Sequence, residues 1–340
     1  MKVHFIAIGG AAMHSIAIAL KEKGYTVTGS DDEIFEPSLS HLHEHGLIKE
    51  NYHWDENNIS PNLDAVILGM HARADNIELK RAQQLGLKIF SFPEFIYEQS
   101  KNKKRVVIGG SHGKTTITAM ILHVLKKQEK SFDFMAGAAL PGFENMVRLS
   151  EKAPVIILEG DEYLSSPLDR RPKFHLYKAD VGLISGIAWD HINVFPTFEN
   201  YVEQFRIFAQ QIPESGTLVY CAADAEVKKI AGDESVRCRK IPYNMPNHSI
   251  KDGVTFLNHV EKIPLQVFGD HNLLNIEGAR RICNLLGVSD YDFNHSIKTF
   301  SGAAKRLQLV AKSSSAAVYK DFAHSPSKLS ATISAVKKQF

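Results

Sequence analysis

The segment Gly109-Gly110-Ser111-His112-Gly113-Lys114-Thr115-Thr116 carries the strongest chemical signal in the chain. It follows an apolar run at 105–108 and opens a helix-like run at 115–127. Backbone N–H groups in such a loop point at an anion, and the helix N-terminus adds partial positive charge. Glycine lets the backbone come close to a phosphate. Lys114 is placed to reach the β- and γ-phosphates of a nucleotide, and the Thr115 hydroxyl to ligate Mg²⁺. The pattern G-x-x-x-x-G-K-[ST] is incomplete, because Ile108 stands at its first glycine. The bland alternative is a glycine-rich turn with an exposed lysine.

Nucleotide phosphates bring a cation, and Mg²⁺ takes oxygen ligands. The run Val155-Ile156-Ile157-Leu158-Glu159-Gly160-Asp161-Glu162 sets acidic groups directly after an apolar strand. In a parallel sheet that is the edge where ligands bind. The next apolar run, 181–187, leads into Trp189-Asp190-His191. Glu159 and His191 are therefore expected to meet around one or two metal ions. A solvated loop and a structural histidine are the bland alternatives. His41, His43 and His45 also have a spacing that can bind metal. No carboxylate constellation or cysteine accompanies them, and they read as an exposed helix face.

A second glycine turn, Gly9-Gly10-Ala11-Ala12-Met13-His14, joins a strand at 2–8 to a helix at 11–23. A strand at 25–28 and Gly29-Ser30-Asp31 follow. This outlines a nucleotide-binding βαβ unit with an acidic residue after its second strand. The G-x-G-x-x-G fingerprint fails in every register, which argues against a dinucleotide oxidoreductase. A turn that cradles another diphosphate is expected, with a simple packing turn as the alternative.

These sites need elements to hold them. Strands at 65–68 and 88–90 and helices at 38–45 and 76–85 complete a first alternating unit, which predicts a parallel sheet. Residues 99–104 read as a linker. The alternation restarts with strands at 105–108, 155–159 and 181–187 and a helix at 272–286. After a further shift near 300–306 come a strand at 317–319 and a helix at 328–339, the opening of an incomplete third unit. The chain has 340 residues, 40 basic and 38 acidic, for a net charge of +2. That length allows two or three domains, and that charge gives no broad footprint for nucleic acid. Three dispersed cysteines exclude a disulfide framework and fit a reducing, cytoplasmic compartment. The glycine pair and histidines interrupt the apolar N-terminus, which reads as strand, turn and helix rather than a signal peptide. No apolar run is long enough for a membrane span.

Taken in order, these motifs resemble the Mur ligase family over nearly the whole chain. Gly110-Ser111-His112-Gly113-Lys114-Thr115-Thr116 is similar to the family's ATP loop. Glu159-Gly160-Asp161-Glu162 and Asp190-His191 resemble its metal-binding stretches. Gly269-Asp270-His271-Asn272-Leu273-Leu274-Asn275 resembles its adenine-contacting helix start. Phe300-Ser301-Gly302-Ala303-Ala304-Lys305-Arg306 resembles its hinge, and Tyr319-Lys320-Asp321-Phe322-Ala323-His324 the segment that opens its third domain.

The resemblance implies an α/β protein in three parts. A Rossmann-like UDP-binding domain would span 1–100, a phosphate-loop ATP-binding domain 101–303, and the truncated start of a third α/β domain 304–340. It implies an ATP- and Mg²⁺-dependent amide-bond ligase acting on UDP-N-acetylmuramate through an acyl phosphate. Lys114, Glu159 and His191 would be catalytic, and Thr115, Glu159 and His191 would hold metal. The ATP loop, His271, Asn272, Asn275, Arg306 and Asp321 would bind ATP, the last two only when the third domain closes. Gly9, Gly10, Ala11, Ala12, Met13, Ser30 and Asp31 would hold the UDP group, with His71, Arg73 and Asn76 as further contacts.

Three stretches, 27–40, 161–174 and 321–324, resemble the branch that adds L-alanyl-γ-D-glutamyl-meso-diaminopimelate. L-Alanine is the alternative acceptor. A non-catalytic nucleotide-binding module is the alternative of another class, and folylpolyglutamate-type ligases, which share the ATP domain, rank low. Ser325 stands where the family often has a second histidine, and Lys305 leaves Arg306 as the phosphate contact. Arg206 stands near the place of a carbamylated lysine in some members, so no carbamate is expected. Without most of the third domain, the chain alone is expected to turn over poorly.

Overall fold

The computed structural model describes residues 1–340 except 191, 259–260, 304–305, 314–315 and 324–325. The first sheet is built from β1 (Lys2–Ile6), β2 (Thr26–Ser30), β3 (Ala65–Leu68) and β4 (Ile89–Ser91). Helices α1 (Ala11–Glu22), α2 (Ser38–Glu44), α3 (Ile77–Gln84) and α4 (Phe92–Ser100) accompany them. The strand order is β2-β1-β3-β4, and every pair is parallel. Parallel strands are covered on both faces, so β3 is a continuous apolar run and β1 is buried from Val3 to Ile6. Ile6 lies opposite both Ser30 and Leu68, which aligns the carboxyl ends of three strands. Ala7, at φ +65°, then turns the chain into Gly9 and Gly10.

Helix α4 corrects the expected linker at 99–104. Ser91 and Glu94 form a reciprocal capping box, with Pro93 in the first turn. The helix runs to Ser100, and β5 begins at Lys104. The polar residues that suggested a linker are the end of α4, a short turn at 101–103 and the first residue of β5.

The second sheet contains β5 (Lys104–Gly109), β6 (Asp133–Met135), β7 (Val147–Arg148), β8 (Val155–Glu159), β9 (Val181–Ile184), β10 (Thr217–Cys221) and β11 (Arg239–Tyr243). Its order is β11-β10-β9-β5-β8-β6-β7, parallel except for the edge strand β7. Side chains alternate between two cores. Val107, Ile156 and Leu158 face α6 (Lys173–Leu176), α7 (Phe198–Gln210) and α8 (Ala225–Ala231). Val106, Ile108 and Ile157 face α5 (Lys114–Lys127), with α9 (Asp270–Leu285) and α10 (Asp290–Ile297) on the same side. A small antiparallel sheet of β12 (His248–Lys251), β13 (Val254–Asn258) and β14 (Lys262–Pro264) precedes α9.

Past Gly302 lie a β-hairpin of β15 (Gln308–Lys312) and β16 (Ala317–Lys320) and then α11 (Pro326–Gln339). The sequence pattern showed one strand there; its partner β15 is exposed over 308–311, so no buried periodic face marks it. Cys221, Cys238 and Cys283 are buried free thiols. Among the described residues, no helix is long and apolar enough to cross a membrane.

A polar knot lies inside the first sheet. Glu78 of α3 is fully buried. One carboxylate oxygen takes a hydrogen bond from the Ser30 hydroxyl and lies 3.4 Å from His4 Nε2. The other accepts from Asp55 N at 3.0 Å and Asn58 Nδ2 at 2.8 Å. Burial alone would push the Glu78 carboxyl up, but bonds from His4, Asn58 and Ser30 outweigh it and hold it below the ordinary range. Stability from this group is therefore complete above the unfolded carboxyl value and is lost as pH falls through the lower folded one. Glu78→Ala leaves these donors without their shared acceptor. It should destabilise the protein by about 2–4 kcal/mol in urea unfolding at neutral pH. A loss below roughly 0.5 kcal/mol would mean that the knot is replaced by water at little cost.

Candidate functional site

Register sets the site. Ile108 lies opposite Glu159, and Gly109 opposite Ile184, so β5, β8 and β9 end together. The phosphate loop crosses those ends before α5 begins at Lys114. Gly113 sits at φ +79°, and a side chain there would run into the Asn275 amide. Ser111 fixes the loop from the other side. Its N–H donates to Gly186 O at 2.9 Å, and its hydroxyl accepts from Ala188 N at 2.9 Å.

Lys114 lies deep in this corner. Its ammonium donates to Gly110 O at 2.9 Å and pairs with Glu162 at 2.6 Å. Burial works against that charge, but Glu162 and Asp161 outweigh it and hold the lysine above its ordinary value. Tyr201 of α7 supports the pair. Its hydroxyl donates to Glu162 at 3.1 Å and lies 2.9 Å from the Ser111 hydroxyl. One chain of hydrogen bonds thus runs from the loop through a helix on the opposite face and back to the loop's lysine.

Glu159 ends β8 and is nearly buried. It accepts from the Thr115 hydroxyl at 2.6 Å and from Gly137 N at 2.7 Å. Burial and the neighbouring Asp161 charge push its carboxyl up. Among the described residues, no group of three histidine, cysteine or carboxylate side chains is arranged to hold a metal alone. A hydroxyl and one carboxylate side by side nevertheless fit Mg²⁺, which keeps several waters and takes its remaining ligands from phosphates.

Both features open on a cavity of about 340 Å³. Of the residues expected at ATP, Ser111 to Thr116, His271, Asn272, Asn275, Arg306 and Asp321 all line it, as does Glu159. Gly110 lies behind the loop with its carbonyl on Lys114. Asn272 and Asn275 sit on the first turns of α9, and Asn272 Nδ2 donates to Phe268 O at 2.9 Å. His271 is pushed down by burial against the opposing charges of Asp321 and Asp270. Arg306 and Asp321, expected only on closure, already face the cavity. Asp321 accepts from Leu307 N at 2.6 Å, and Lys328 of α11 reaches Asp190 at 3.0 Å. His191 lies outside the described residues.

The first glycine turn forms a separate site. Asp31 Oδ2 accepts from Gly9 N at 2.7 Å, and burial pushes its carboxyl up to about 6. Met13 is buried, Ala11 and Arg73 are exposed, and exposed His71 lies over Gly10. Ala12 is half-buried. Ser30 is fully buried and bound to Glu78, so it supports the turn from beneath rather than lining its surface. Asn76 is buried and caps α3 by accepting from Leu79 N at 3.0 Å. The histidines of α2 make no metal cluster among the described residues; His45 Nδ1 lies 2.8 Å from His41 O.

Sequence reasoning missed Tyr201, Gly137 and Lys328. Tyr201 lies on an amphipathic helix, where it reads as core, and nothing local marks its hydroxyl. Gly137 supplies only a backbone N–H.

The chain matches the Mur ligase family catalytic domain over residues 2–104 and the Mur ligase middle domain over residues 108–282. It is 32% identical to a UDP-N-acetylmuramate–L-alanine ligase of Caldicellulosiruptor bescii, across 99% of this chain and 75% of that protein. It is 28% identical to a UDP-N-acetylmuramate–L-alanyl-γ-D-glutamyl-meso-2,6-diaminoheptandioate ligase of Haemophilus influenzae, across 98% of this chain and 76% of that one. Its fold is similar to that of a murein peptide ligase from Psychrobacter arcticus, with a TM-score of 0.80 at 22% identity over 100% of this chain and 76% of that chain. The UDP-N-acetylmuramate–alanine ligase of Thermotoga maritima gives 0.76 at 22% identity, over 100% of this chain and 78% of that chain.

Tyr201→Phe removes one hydroxyl from the relay and keeps the ring in its aromatic cluster with Phe195 and Phe205. The variant should stay folded and weaken binding of a non-hydrolysable ATP analogue by about 5–10-fold, or roughly 1–1.4 kcal/mol. Unchanged affinity in a calorimetric titration would show that Glu162 holds Lys114 without Tyr201.

Proposed function

The chain belongs to the Mur ligase family, ATP-dependent, ADP-forming ligases that make amide bonds in peptidoglycan synthesis, and we propose that it joins UDP-N-acetylmuramate to L-alanyl-γ-D-glutamyl-meso-diaminopimelate. The observation that carries the ligase reading is the meeting of Lys114, Thr115 and Glu159 in one cavity with Asn272, Arg306 and Asp321. The acceptor reading rests on residues 27–40, 161–174 and 321–324, of which the last two reach the cavity. The stretch at 161–174 supplies Asp161, Glu162 and Tyr163 to the cavity wall, and that at 321–324 supplies Asp321 and Ala323. L-Alanine is kept as a second reading, favoured by the 32% identical relative.

We assign residues 1–100 to the UDP group, 101–303 to ATP and 304–340 to the third unit. The turn at Gly9, Gly10, Ala11, Ala12 and Met13, anchored by Asp31, holds the diphosphate. His71 and Arg73 flank it, while Ser30 and Asn76 shape it from within. Residues 110–116 wrap the ATP phosphates, and His271, Asn272 and Asn275 form the adenine end. Thr115 and Glu159 would hold Mg²⁺, with His191 on a second ion. Phosphate charge would be neutralised and the γ-phosphoryl group oriented by an ion bound there.

A carboxylate is a poor electrophile. The lactyl carboxylate of UDP-N-acetylmuramate attacks the γ-phosphorus, ADP leaves, and an acyl phosphate forms. The amine of the peptide attacks the acyl carbon, phosphate leaves, and the amine loses a proton. Such chemistry needs positioning and charge more than covalent help. Lys114 exchanges Glu162 for the phosphates, and Arg306 adds charge from the third unit.

The test is product formation by the full-length protein with ATP, Mg²⁺, UDP-N-acetylmuramate and each acceptor, read by mass spectrometry. The tripeptide product should dominate. Lys114→Ala should lower its rate by about 10³-fold or more. An L-alanine product in its place would overturn the acceptor reading, and product from neither acceptor would overturn the ligase reading for this chain.

A further inference from the structure

Behind the cavity wall, against the lining residues Asp161 and Tyr163, lies a second buried lysine that phosphate binding does not account for. Lys173, the first residue of α6, is 6% exposed. Its ammonium lies 3.3 Å from Asp161 Oδ2 and 3.8 Å from the centre of the Tyr163 ring. The Phe92 ring of α4 is 5.1 Å away on another side. The Tyr163 hydroxyl also hydrogen-bonds Asp161. Such a lysine gives up its hydration, so the carboxylate it meets must be fixed in place.

Charge pairing just past β8 is selective. Glu159, Asp161 and Glu162 supply three carboxylates there, and Lys114 and Lys173 supply the two ammonium groups that reach them. Lys114 pairs with Glu162 at 2.6 Å and Lys173 with Asp161 at 3.3 Å. Among the described residues, Glu159 has no ammonium within ion-pair distance; it accepts from the Thr115 hydroxyl and the Gly137 backbone N–H. Asp161 and Glu159 both face the cavity, two residues apart. Without Lys173, both would be open to a cation.

We propose that Lys173 is a positioning residue that withdraws Asp161 from cation binding and leaves Glu159 as the carboxylate that takes the divalent ion. The inference rests on the reading above that Thr115 and Glu159 hold Mg²⁺. Its consequence is that the ion binds well only with nucleotide phosphates, because a single carboxylate and a hydroxyl are too few ligands alone.

Mn²⁺ titrations followed by electron paramagnetic resonance test this on the full chain, with and without a non-hydrolysable ATP analogue. Lys173→Met should tighten Mn²⁺ binding roughly tenfold, most clearly without nucleotide. Lys173→Arg should stay near wild type. Asp161→Asn leaves Lys173 uncompensated and should weaken binding with the analogue by a similar factor, while Lys173→Met with Asp161→Asn should return it to near wild type. Wild-type affinity in both single variants would overturn the proposal and leave Lys173 a packing residue. If Lys173→Met does not fold, Asp161→Asn and the double variant still decide: a difference of roughly tenfold supports the proposal, and equal affinities overturn it. Glu159→Gln keeps the two failures apart. Undiminished Mn²⁺ binding in that variant overturns the metal reading itself, whatever Lys173 does.

Discussion

The ion pair between Lys114 and Glu162 is the constraint on which the rest of the site depends. A lysine that is to meet phosphates inside a cleft must be buried before the phosphates arrive. Burial without a counter-charge would neutralise it. Glu162 supplies that charge at 2.6 Å and is itself held by Tyr201. The carboxyl end of β8, the start of α5 and the middle of α7 must therefore converge. The parallel register of β5, β8 and β9 brings them together at one edge. Thr115 and Glu159 repeat the arrangement one residue along, so the two groups that would serve nucleotide and cation are already oriented by each other.

The first sheet solves a related problem with fewer charges. Its glycine turn is held by a carboxylate from the end of the adjacent strand, Asp31 on Gly9 N. Beneath it, Glu78 ties β1, β2 and α3 together through His4 and Ser30. The turn is thus fixed from within, and its outer surface is left to Ala11, His71 and Arg73. The two units also touch directly: Asn145 donates to Ser15 O in α1 at 2.9 Å. Past Gly302, Lys328 of α11 reaches Asp190 across the cavity, and within that segment Asp321 is fixed by Leu307 N.

Much of this was legible in the sequence because it is local. Strand, glycine loop and helix are contiguous at 105–127, and an acidic residue ending an apolar strand can be read at Glu159. The motif at 269–275 lies on one helix start. What stayed hidden depends on contacts between distant segments. Tyr201 lies 90 positions from Ser111, and Ser30 lies 48 from Glu78. Ser30 read as a surface contact because it follows a strand at the ligand edge; its burial depends on a glutamate from another helix. Helix α4 was lost to polar residues near its end, although Ser91 and Glu94 carry a capping signal. The small edge strands β7 and β14 are too short for any period to show.

We propose that the phosphate loop and the carboxyl end of β8 make one site for a nucleotide and its cation. Equilibrium titration of a non-hydrolysable ATP analogue, with and without Mg²⁺, tests it most directly on wild type and Lys114→Met. Mg²⁺ should tighten binding by at least about tenfold, and the variant should lose most of its affinity. Binding that is indifferent to both Mg²⁺ and Lys114 would contradict it.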